Sequence, residues 1–292
     1  MKITSIFEKE EITVSFEVFP PKTTTNYEAV EKAALGVAAL KPSYMSVTYG
    51  AGGSTRGYTI KIAEKIQKEQ QVTTIAHLTC VGATKADIHA ALGQMKEAGI
   101  ENILALRGDR PKDFEGDPYV DYHHASELVE TIREYGDFCV GGACYPEGHP
   151  ESQTLEEDLI HLKEKVDAGC EYLTTQMFFD NNIYYRFLYK ALAKGIDVPV
   201  TAGIMPVTNA AQVKRTISLT GNLVPAKFLS IVDRFGDNPA AMKQAGIAYA
   251  TEQIIDLIAN GVNHIHIYSM NKPDVAAAIM NNLSQIYVRE QA

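Results

Sequence analysis

The stretch that decides the fold reads Asn102-Ile-Leu-Ala-Leu-Arg-Gly-Asp-Arg-Pro111. Residues 103–107 are a short, largely apolar run that predicts a buried strand, and Gly108 ends it. The strand ends on a charged side chain, Arg107, and two more follow Gly108 at Asp109 and Arg110. Ligands of parallel α/β folds bind at the carboxyl ends of strands, so the stretch indicates either a ligand site or a solvated turn after a core strand.

A strand followed by a helix recurs on both sides of this stretch. The first four predicted strands begin at residues 12, 43, 73 and 103, at nearly equal intervals. Each is rich in apolar or β-branched residues, and the segments between them have apolar residues at helical spacing. The predicted strands are 12–19, 43–49, 73–78, 103–107, 138–143, 172–176, 198–202 and 264–268. The predicted helices are 27–40, 56–69, 85–98, 124–135, 155–168, 182–193, 210–219, 226–235, 239–260 and 274–286.

Eight such units predict an α/β fold, namely a (β/α)8 TIM barrel whose last unit is elaborated. The loops between the units are short, so we expect residues 1–292 to form a single domain. A doubly wound open sheet would usually carry a Gly-x-Gly-x-x-Gly turn after its first strand. Residues 19–22, Phe-Pro-Pro-Lys, do not match that turn.

The composition limits the classes of function. The 27 basic and 36 acidic side chains give a net charge of −9, which argues against a broad nucleic-acid-binding surface. Four cysteines are scattered without a C-x-x-C pair, so we expect reduced thiols. Residues 1–11 are charged and no run of about 18 apolar residues occurs, which predicts neither a signal peptide nor a membrane span. We therefore expect a cytoplasmic protein with no membrane partner, and we expect a homo-oligomer.

A closed barrel would bring together the residues that end its eight strands. These include polar, aromatic and flexible residues: Glu17, Phe19, Thr48, Tyr49, His77, Arg107, Gly108, Asp109, Tyr145, His149, Gln176 and Met205. A barrel that served only as a scaffold would have no need of such a rim, because its stability resides at the opposite face. The rim therefore favours an enzyme or a small-molecule binder over a purely structural protein.

Glu17 lies in the second half of the first predicted strand. Strand alternation places it on one face with Ser15 and Phe19. A glutamate in mid-strand is most often at an exposed edge, but a closed barrel has no edge. Beside Phe19 at the mouth the carboxyl group would be partly desolvated and its pKa raised, which suits a general acid.

Other chemical motifs are weak. The histidines show no H-E-x-x-H spacing and no cysteine cluster accompanies them, so we expect no catalytic metal. Residues 50–56, Gly-Ala-Gly-Gly-Ser-Thr-Arg, suit a backbone nest for phosphate but lack the Lys-Ser/Thr pair of a P-loop. No Gly-x-Ser-x-Gly elbow occurs. We infer that a cofactor supplies the difficult chemical step.

Six blocks of sequence, taken together, resemble the methylenetetrahydrofolate reductase family. They are SFEVFPPK at 15–22, SVTYGA at 46–51, AHLTC at 76–80, ALRGD at 105–109, YPEGHPE at 145–151 and KEKVDAG at 163–169. The similarity runs in order from about Glu11 to Lys272. The resemblance implies a barrel that holds FAD at its rim, takes hydride from NADH or NADPH and reduces 5,10-methylenetetrahydrofolate to 5-methyltetrahydrofolate.

The resemblance also implies roles for individual residues. Glu17 is similar to the family's acid, which protonates folate N10, and Asp109 to the carboxylate shared by flavin and pterin. The implied folate contacts are Gln176, Gln212 and Lys272, in addition to Asp109, and Thr48 matches a position on the nicotinamide side. The implied FAD contacts are Tyr49, Ala51, His77, Arg107, Gly108, Asp109, Ala125, Tyr145, His149, Asp158 and Lys165. Of these, Arg107 and Lys165 would pair with the diphosphate.

Five positions depart from the family pattern, among them His161 and Glu164, which replace FAD contacts seen in relatives. The chain has Thr216 where some members carry phenylalanine, His124 where they carry tyrosine, and Lys272 where arginine is frequent. Lysine cannot bind a carboxylate with the two-pronged geometry of arginine. Two alternatives stay open on the sequence: a flavin-free barrel that transfers a methyl group from a pterin, and a relative that receives electrons from a partner protein.

Overall fold

A computed structural model describes residues 1–21, 24–50, 56–110, 116–213 and 222–288. Within these ranges eight parallel strands pair in chain order, and the last pairs with the first to close a barrel. The strands are β1 (Thr13–Val18), β2 (Tyr44–Val47), β3 (Thr73–Thr79), β4 (Asn102–Leu106), β5 (Cys139–Cys144), β6 (Tyr172–Thr175), β7 (Val200–Ile204) and β8 (His264–Tyr268). The (β/α)8 prediction is confirmed.

Helices alternate with the strands and pack around them. They are α1 (Ile3–Lys9), α2 (Tyr27–Ala38), α3 (Arg56–Lys65), α4 (Lys85–Glu97), α5 (Ala125–Tyr135), α6 (Leu155–Asp167), α7 (Asn181–Ala193), α8 (Ala226–Phe235), α9 (Pro239–Ala259) and α10 (Pro273–Asn282). A π-helical turn, Ile66–Gln70, continues α3. The extra helices between β7 and β8 confirm the elaborated last unit. The predicted helix 210–219 falls largely outside the described residues.

Helix α1 was not predicted, and it closes the amino-terminal end of the barrel. Ile3 and Ile6 are buried in a cluster with Tyr44 and Tyr172, the first residues of β2 and β6. Phe7 stacks on the ring of His264 with 4.0 Å between centroids. Only seven residues long and flanked by charges, the helix is too short for its apolar spacing to be distinctive in the sequence.

Strand register fixes which side chains point into the barrel. Ser15 and Glu17 of β1 lie opposite His266 and Tyr268 of β8, so these four residues share the inner face. The alternate residues of β1 are buried in the main apolar cluster between the sheet and the helices. Glu17 therefore faces the mouth of the barrel, whereas the alternation of β1 predicted only that it shares a face with Ser15.

The described ranges bear on three features: the state of the cysteines, membrane-spanning helices and groups of metal-binding residues. The four cysteines are free and buried, as predicted. Across residues 1–21, 24–50, 56–110, 116–213 and 222–288, no helix combines the length and apolar character needed to cross a bilayer. The same ranges contain no group of three or more His, Cys, Asp or Glu residues that could hold a metal ion.

Candidate active site

An open cleft lies at the carboxyl-terminal mouth of the barrel and consists of two adjoining cavities. The central cavity, of about 480 Å³, is lined by residues from β1, β3, β4, β5, β6 and β8, from α5 and α6, and from the loops that follow the strands. Its functional lining comprises Glu17, Tyr49, Arg107, Gly108, Asp109, Tyr145, Gln176 and Tyr268. The second cavity, of about 230 Å³, shares Arg107, Tyr145, His149 and Lys165 with the first and extends to Asp158 and His161. The two form one elongated cleft.

Glu17 stands at the floor of this cleft among buried polar side chains. Its side chain is 20% exposed, and Oε2 lies 3.5 Å from His77 Nε2 and 3.7 Å from His266 Nε2. The Nδ1 atom of His266 lies 2.8 Å from Ser15 Oγ, one inward position below Glu17 on β1. Ser269 Oγ donates to the backbone carbonyl of Glu17 at 2.6 Å. The strand and its carboxyl group are thus held from β3 and β8.

His77 does not supply a positive charge to Glu17 at neutral pH. Burial lowers the pKa of its imidazole to about 4, and the nearby Glu17 carboxylate only partly opposes that shift. The contact between the two side chains is therefore one between a carboxyl group and a neutral ring.

The turn after β8 is hydrogen-bonded to the residue that follows β1. Met270 and Asn271 both have left-handed backbones, with φ of 52° and 53°, which is uncommon for residues other than glycine. The Asn271 side-chain amide accepts from the Phe19 N–H and donates to the Phe19 carbonyl, both at 2.9 Å. This side chain continues the β1–β8 pairing beyond the last backbone bond.

Gly108, two residues after the end of β4, packs closely against Val81 in the loop after β3. Its φ is +87°, and a β-carbon there would stand 2.4 Å from Val81 Cγ1. Only glycine fits this position without a shift of the neighbouring loop. Gly108 and the following Asp109 both line the central cavity.

The guanidinium group of Arg107 pairs with Glu151, a residue that the sequence did not single out. Its Nη1 and Nη2 atoms each donate to one oxygen of Glu151 at 2.7 Å, a two-pronged pair. The guanidinium also lies over the Tyr119 ring, 5.0 Å from its centroid. This pairing holds the pKa of the Glu151 carboxyl below its usual range.

Lys165, the second cation expected to pair with a diphosphate, lines both cavities of the cleft. Lys165 Nζ donates to the Ala143 carbonyl at the end of β5, at 2.7 Å. Burial raises the pKa of Asp158 and lowers that of His149. Burial also raises the pKa of Tyr145 to about 12, so its hydroxyl keeps its proton at neutral pH.

Two predicted folate contacts lie apart from the two cavities but next to each other. Lys272 precedes α10 and Gln212 follows β7, and both are hydrogen-bonded to Thr208. Thr208 could not be recognised in the sequence, because its partner Lys272 is 64 residues further along the chain.

Glu147 belongs to the YPEGHPE block, but its hydrogen-bond partners were not predicted. Its carboxylate accepts from the Asn222 side chain at 2.6 Å and from the Leu223 N–H at 2.8 Å. It thereby joins the loop after β5 to the segment before α8.

The structure brings most of the predicted site residues together. The cleft is lined by eleven of them: Glu17, Tyr49, Arg107, Gly108, Asp109, Ala125, Tyr145, His149, Asp158, Lys165 and Gln176. His77 reaches the cleft only through its contact with Glu17. Thr48 is half-buried, and its carbonyl accepts from Thr59 Oγ1 at 2.8 Å. Ala51 and Thr216 lie outside the described residues.

Comparison with known proteins agrees with this geometry. The family model described as methylenetetrahydrofolate reductase matches residues 2–284. The 5,10-methylenetetrahydrofolate reductase of Pectobacterium carotovorum subsp. carotovorum is 36% identical over 272 residues, covering 93% of this chain and 90% of that protein. The Escherichia coli (strain K12) enzyme of the same name is 36% identical and covers 94% and 91%. Arabidopsis thaliana methylenetetrahydrofolate reductase (NADH) 1 is 35% identical over 98% of this chain, which spans 50% of that protein.

A solved structure shares the fold at low sequence identity. It is an uncharacterized protein from Clostridium thermocellum, described as binding two copies of 5-methyl-5,6,7,8-tetrahydrofolic acid. The TM-score is 0.67 at 13% identity, and the alignment covers 98% of this chain and 99% of that one. At this identity the likeness supports the barrel fold alone.

The strand ends of this parallel barrel bring Glu17, Asp109 and basic side chains to one cleft. This arrangement defines an enzyme of the (β/α)8 class. Within that class, the match over residues 2–284 and the bacterial relatives identify the family. The chain belongs to the methylenetetrahydrofolate reductase family, and it is an oxidoreductase.

Proposed function

We propose that the chain uses bound FAD to reduce 5,10-methylenetetrahydrofolate to 5-methyltetrahydrofolate, with NADH or NADPH as the electron donor. The reaction would be a ping-pong relay in which donor and folate use the same cleft in turn. The observation that carries this proposal is that the Glu17 carboxyl group opens into one cleft with Asp109 and Gln176. We further propose that residues 1–292 act as one catalytic domain, as a cytoplasmic homo-oligomer.

The cleft suits a flavin dinucleotide in shape and in chemistry. Arg107 and Lys165 line both cavities and so place two cations where the cavities adjoin, which fits a diphosphate. The buried Oγ1 of Thr79, a residue that lines the cleft, has no hydrogen-bond partner among the described residues, so it is available to a bound polar group. When bound, FAD would supply the hydride-transfer chemistry.

The protein's own groups would then act on the folate. Glu17 would hold a proton on its carboxyl group and deliver it to folate N10, and the neutral His77 beside it adds no positive charge that would oppose protonation. Asp109 would hold the pterin and stabilise the cationic intermediate that accepts hydride. The proposed folate contacts also include Gln176, Gln212 and Lys272. Thr48 would lie on the nicotinamide side, and the proposed FAD contacts are Tyr49, Ala51, His77, Arg107, Gly108, Asp109, Ala125, Tyr145, His149, Asp158 and Lys165.

The electron donor can be determined with the purified chain. We expect the protein to purify with yellow flavin absorbance that NADH or NADPH bleaches within the turnover time in anaerobic stopped-flow. Addition of 5,10-methylenetetrahydrofolate should then restore the oxidised spectrum. A colourless protein that transfers a methyl group to a corrinoid would contradict the proposal. Bleaching by reduced ferredoxin but by neither nucleotide would replace the nicotinamide donor with a partner protein.

Replacement of Asp109 by asparagine should slow the folate half-reaction by tenfold or more, on the order expected when one charge contact to a cationic intermediate is removed. The nicotinamide half-reaction should slow less, because no folate cation forms in it. Single-turnover stopped-flow of each half measures the two rates separately. The matched control is Asp117→Asn, which removes the same charge from a side chain that accepts from the Tyr119 N–H. Equal rates in D109N and the unmodified chain would refute the role of Asp109.

A further inference from the structure

A hydrogen-bonded bridge connects the loop after β7 with the start of α10. Lys272 Nζ donates to Thr208 Oγ1 at 2.7 Å. The Gln212 carbonyl Oε1 accepts from the Thr208 backbone N–H at 2.9 Å and from the Thr208 hydroxyl at 3.2 Å. Thr208 itself is 6% exposed. The buried hydroxyl of Thr208 therefore joins the side chain of Gln212, four residues further along, to that of Lys272, 64 residues further along.

The number of hydrogens on each group determines which atom donates and which accepts in every bond of this bridge. An ammonium group can only donate, so the Thr208 oxygen must accept from Lys272. The one hydroxyl hydrogen of Thr208 is then free to go to Gln212 Oε1. With Oε1 occupied by two bonds from Thr208, the amide of Gln212 cannot turn over without losing both.

The groups left over on the bridge are all donors. Gln212 Nε2 keeps two N–H groups, and Lys272 Nζ keeps two of its three. Within the part of the chain that the structure describes, neither nitrogen makes another hydrogen bond. A cluster that offers only N–H donors, one of them charged, is complementary to a carboxylate.

The position of Thr208 is itself fixed by close packing. A β-carbon at Gly246 of α9 would stand 1.8 Å from the Val207 carbonyl oxygen and 3.6 Å from the Thr208 nitrogen. The helix thus lies directly against the backbone of this segment, and Val207 is buried. The packing of α9 therefore fixes the backbone from which the Thr208 side chain extends.

We propose that Thr208 is a positioning residue that sets Lys272 and Gln212 as one donor cluster for a carboxylate on the tail of the substrate. This inference rests on the proposed function, which makes that substrate a folate ending in glutamate carboxylates. A lysine ammonium is a point charge on a flexible stem, without the planar fork of arginine. The fixed hydroxyl of Thr208 supplies the orientation that the lysine lacks.

The test compares two ligands that differ only in tail charge. The probes are folic acid and its dimethyl ester, titrated by calorimetry into the flavin-loaded protein. Thr208→Val keeps the shape and removes the hydroxyl, so folic acid should bind about tenfold more weakly, while the ester should bind as it does to the unmodified protein. Thr208→Ser should restore the acid-to-ester ratio. The matched control is Thr251→Val, because Thr251 is equally buried and its hydroxyl donates to Ile247 and accepts from Asn282.

A double-mutant cycle separates positioning from a general loss of structure. In a Lys272→Met background the Thr208→Val change should no longer alter the acid-to-ester ratio, because the hydroxyl acts through the ammonium group. Flavin content and the thermal unfolding midpoint report whether each variant folds. If T208V weakens both ligands equally, or neither, the positioning role is overturned. If the unmodified protein binds neither ligand, the proposed function itself fails.

Discussion

Glu17→Gln should abolish folate turnover while flavin reduction by the nicotinamide donor continues near its normal rate. Glutamine keeps the size of the side chain but cannot deliver the proton that opens the folate ring. Loss of a positioned general acid typically costs about 10²–10⁴-fold in rate. The first half-reaction needs no such proton, so the two halves should separate by that factor. Anaerobic stopped-flow of each half, followed by flavin absorbance, measures the separation.

A suitable control for this variant is Glu10→Gln. Glu10 precedes β1 and accepts from Ser43 Oγ at 2.6 Å, away from the cleft. The change removes one carboxylate from the same region of the chain and should leave both half-reactions unaffected. Equal loss in both halves of E17Q would mean that Glu17 supports the fold or the flavin, and its assignment as the acid would be wrong.

The stability of the fold should decrease as the pH falls from about 6.5 toward 4, and His264 should account for part of that loss. Burial lowers the pKa of this imidazole from the ordinary value of 6.5 to about 4. The unfolded chain therefore binds a proton before the folded chain does. The contribution to the free energy of unfolding is present in full above pH 6.5 and is lost through this interval. For a partly buried ring we expect a loss of roughly 2 kcal/mol.

Urea unfolding at pH 7 and at pH 4.5 measures this contribution as a double difference. His264→Asn keeps a polar group near Thr13 Oγ1, 3.0 Å from the ring, but has no titratable nitrogen. The variant should be less stable than the unmodified chain at pH 7, because Phe7 loses the ring on which it stacks. Its pH dependence should nevertheless be shallower. The exposed His89 provides the control H89N, and identical slopes in all three proteins would contradict the prediction.

The barrel and the core of its site could be predicted because their signals are local. Each strand is a short apolar run, and Glu17, Arg107 and Asp109 are placed by strand alternation or by immediate succession to a strand. The closed topology then follows from counting eight units. Strand ends differ from the prediction by up to two residues, as in β7, which begins at Val200 where residue 198 was expected. Propensity does not fix the last hydrogen bond of a strand.

The features that escaped prediction depend on contacts between distant parts of the chain. The partner of Arg107, Glu151, lies 44 residues further along and is one of many acidic side chains. Thr208 has no distinguishing neighbour in the sequence, and its role follows only from its hydrogen bonds to Lys272 and Gln212. Helix α1 is defined by the tyrosine and histidine rings that it covers. Such pairings require the three-dimensional arrangement.

The side chain of Asn271 also limits how the mouth can be redesigned. Because its amide takes both backbone groups of Phe19, the turn after β8 serves as an extra rung of the sheet for β1. A loop library that diversifies residues 269–272 alone would leave the Phe19 peptide groups without partners. It would also alter the segment that carries Glu17, whose carbonyl accepts from Ser269. Grafting new specificity onto this scaffold therefore requires that the loops after the first and last strands be exchanged as one unit.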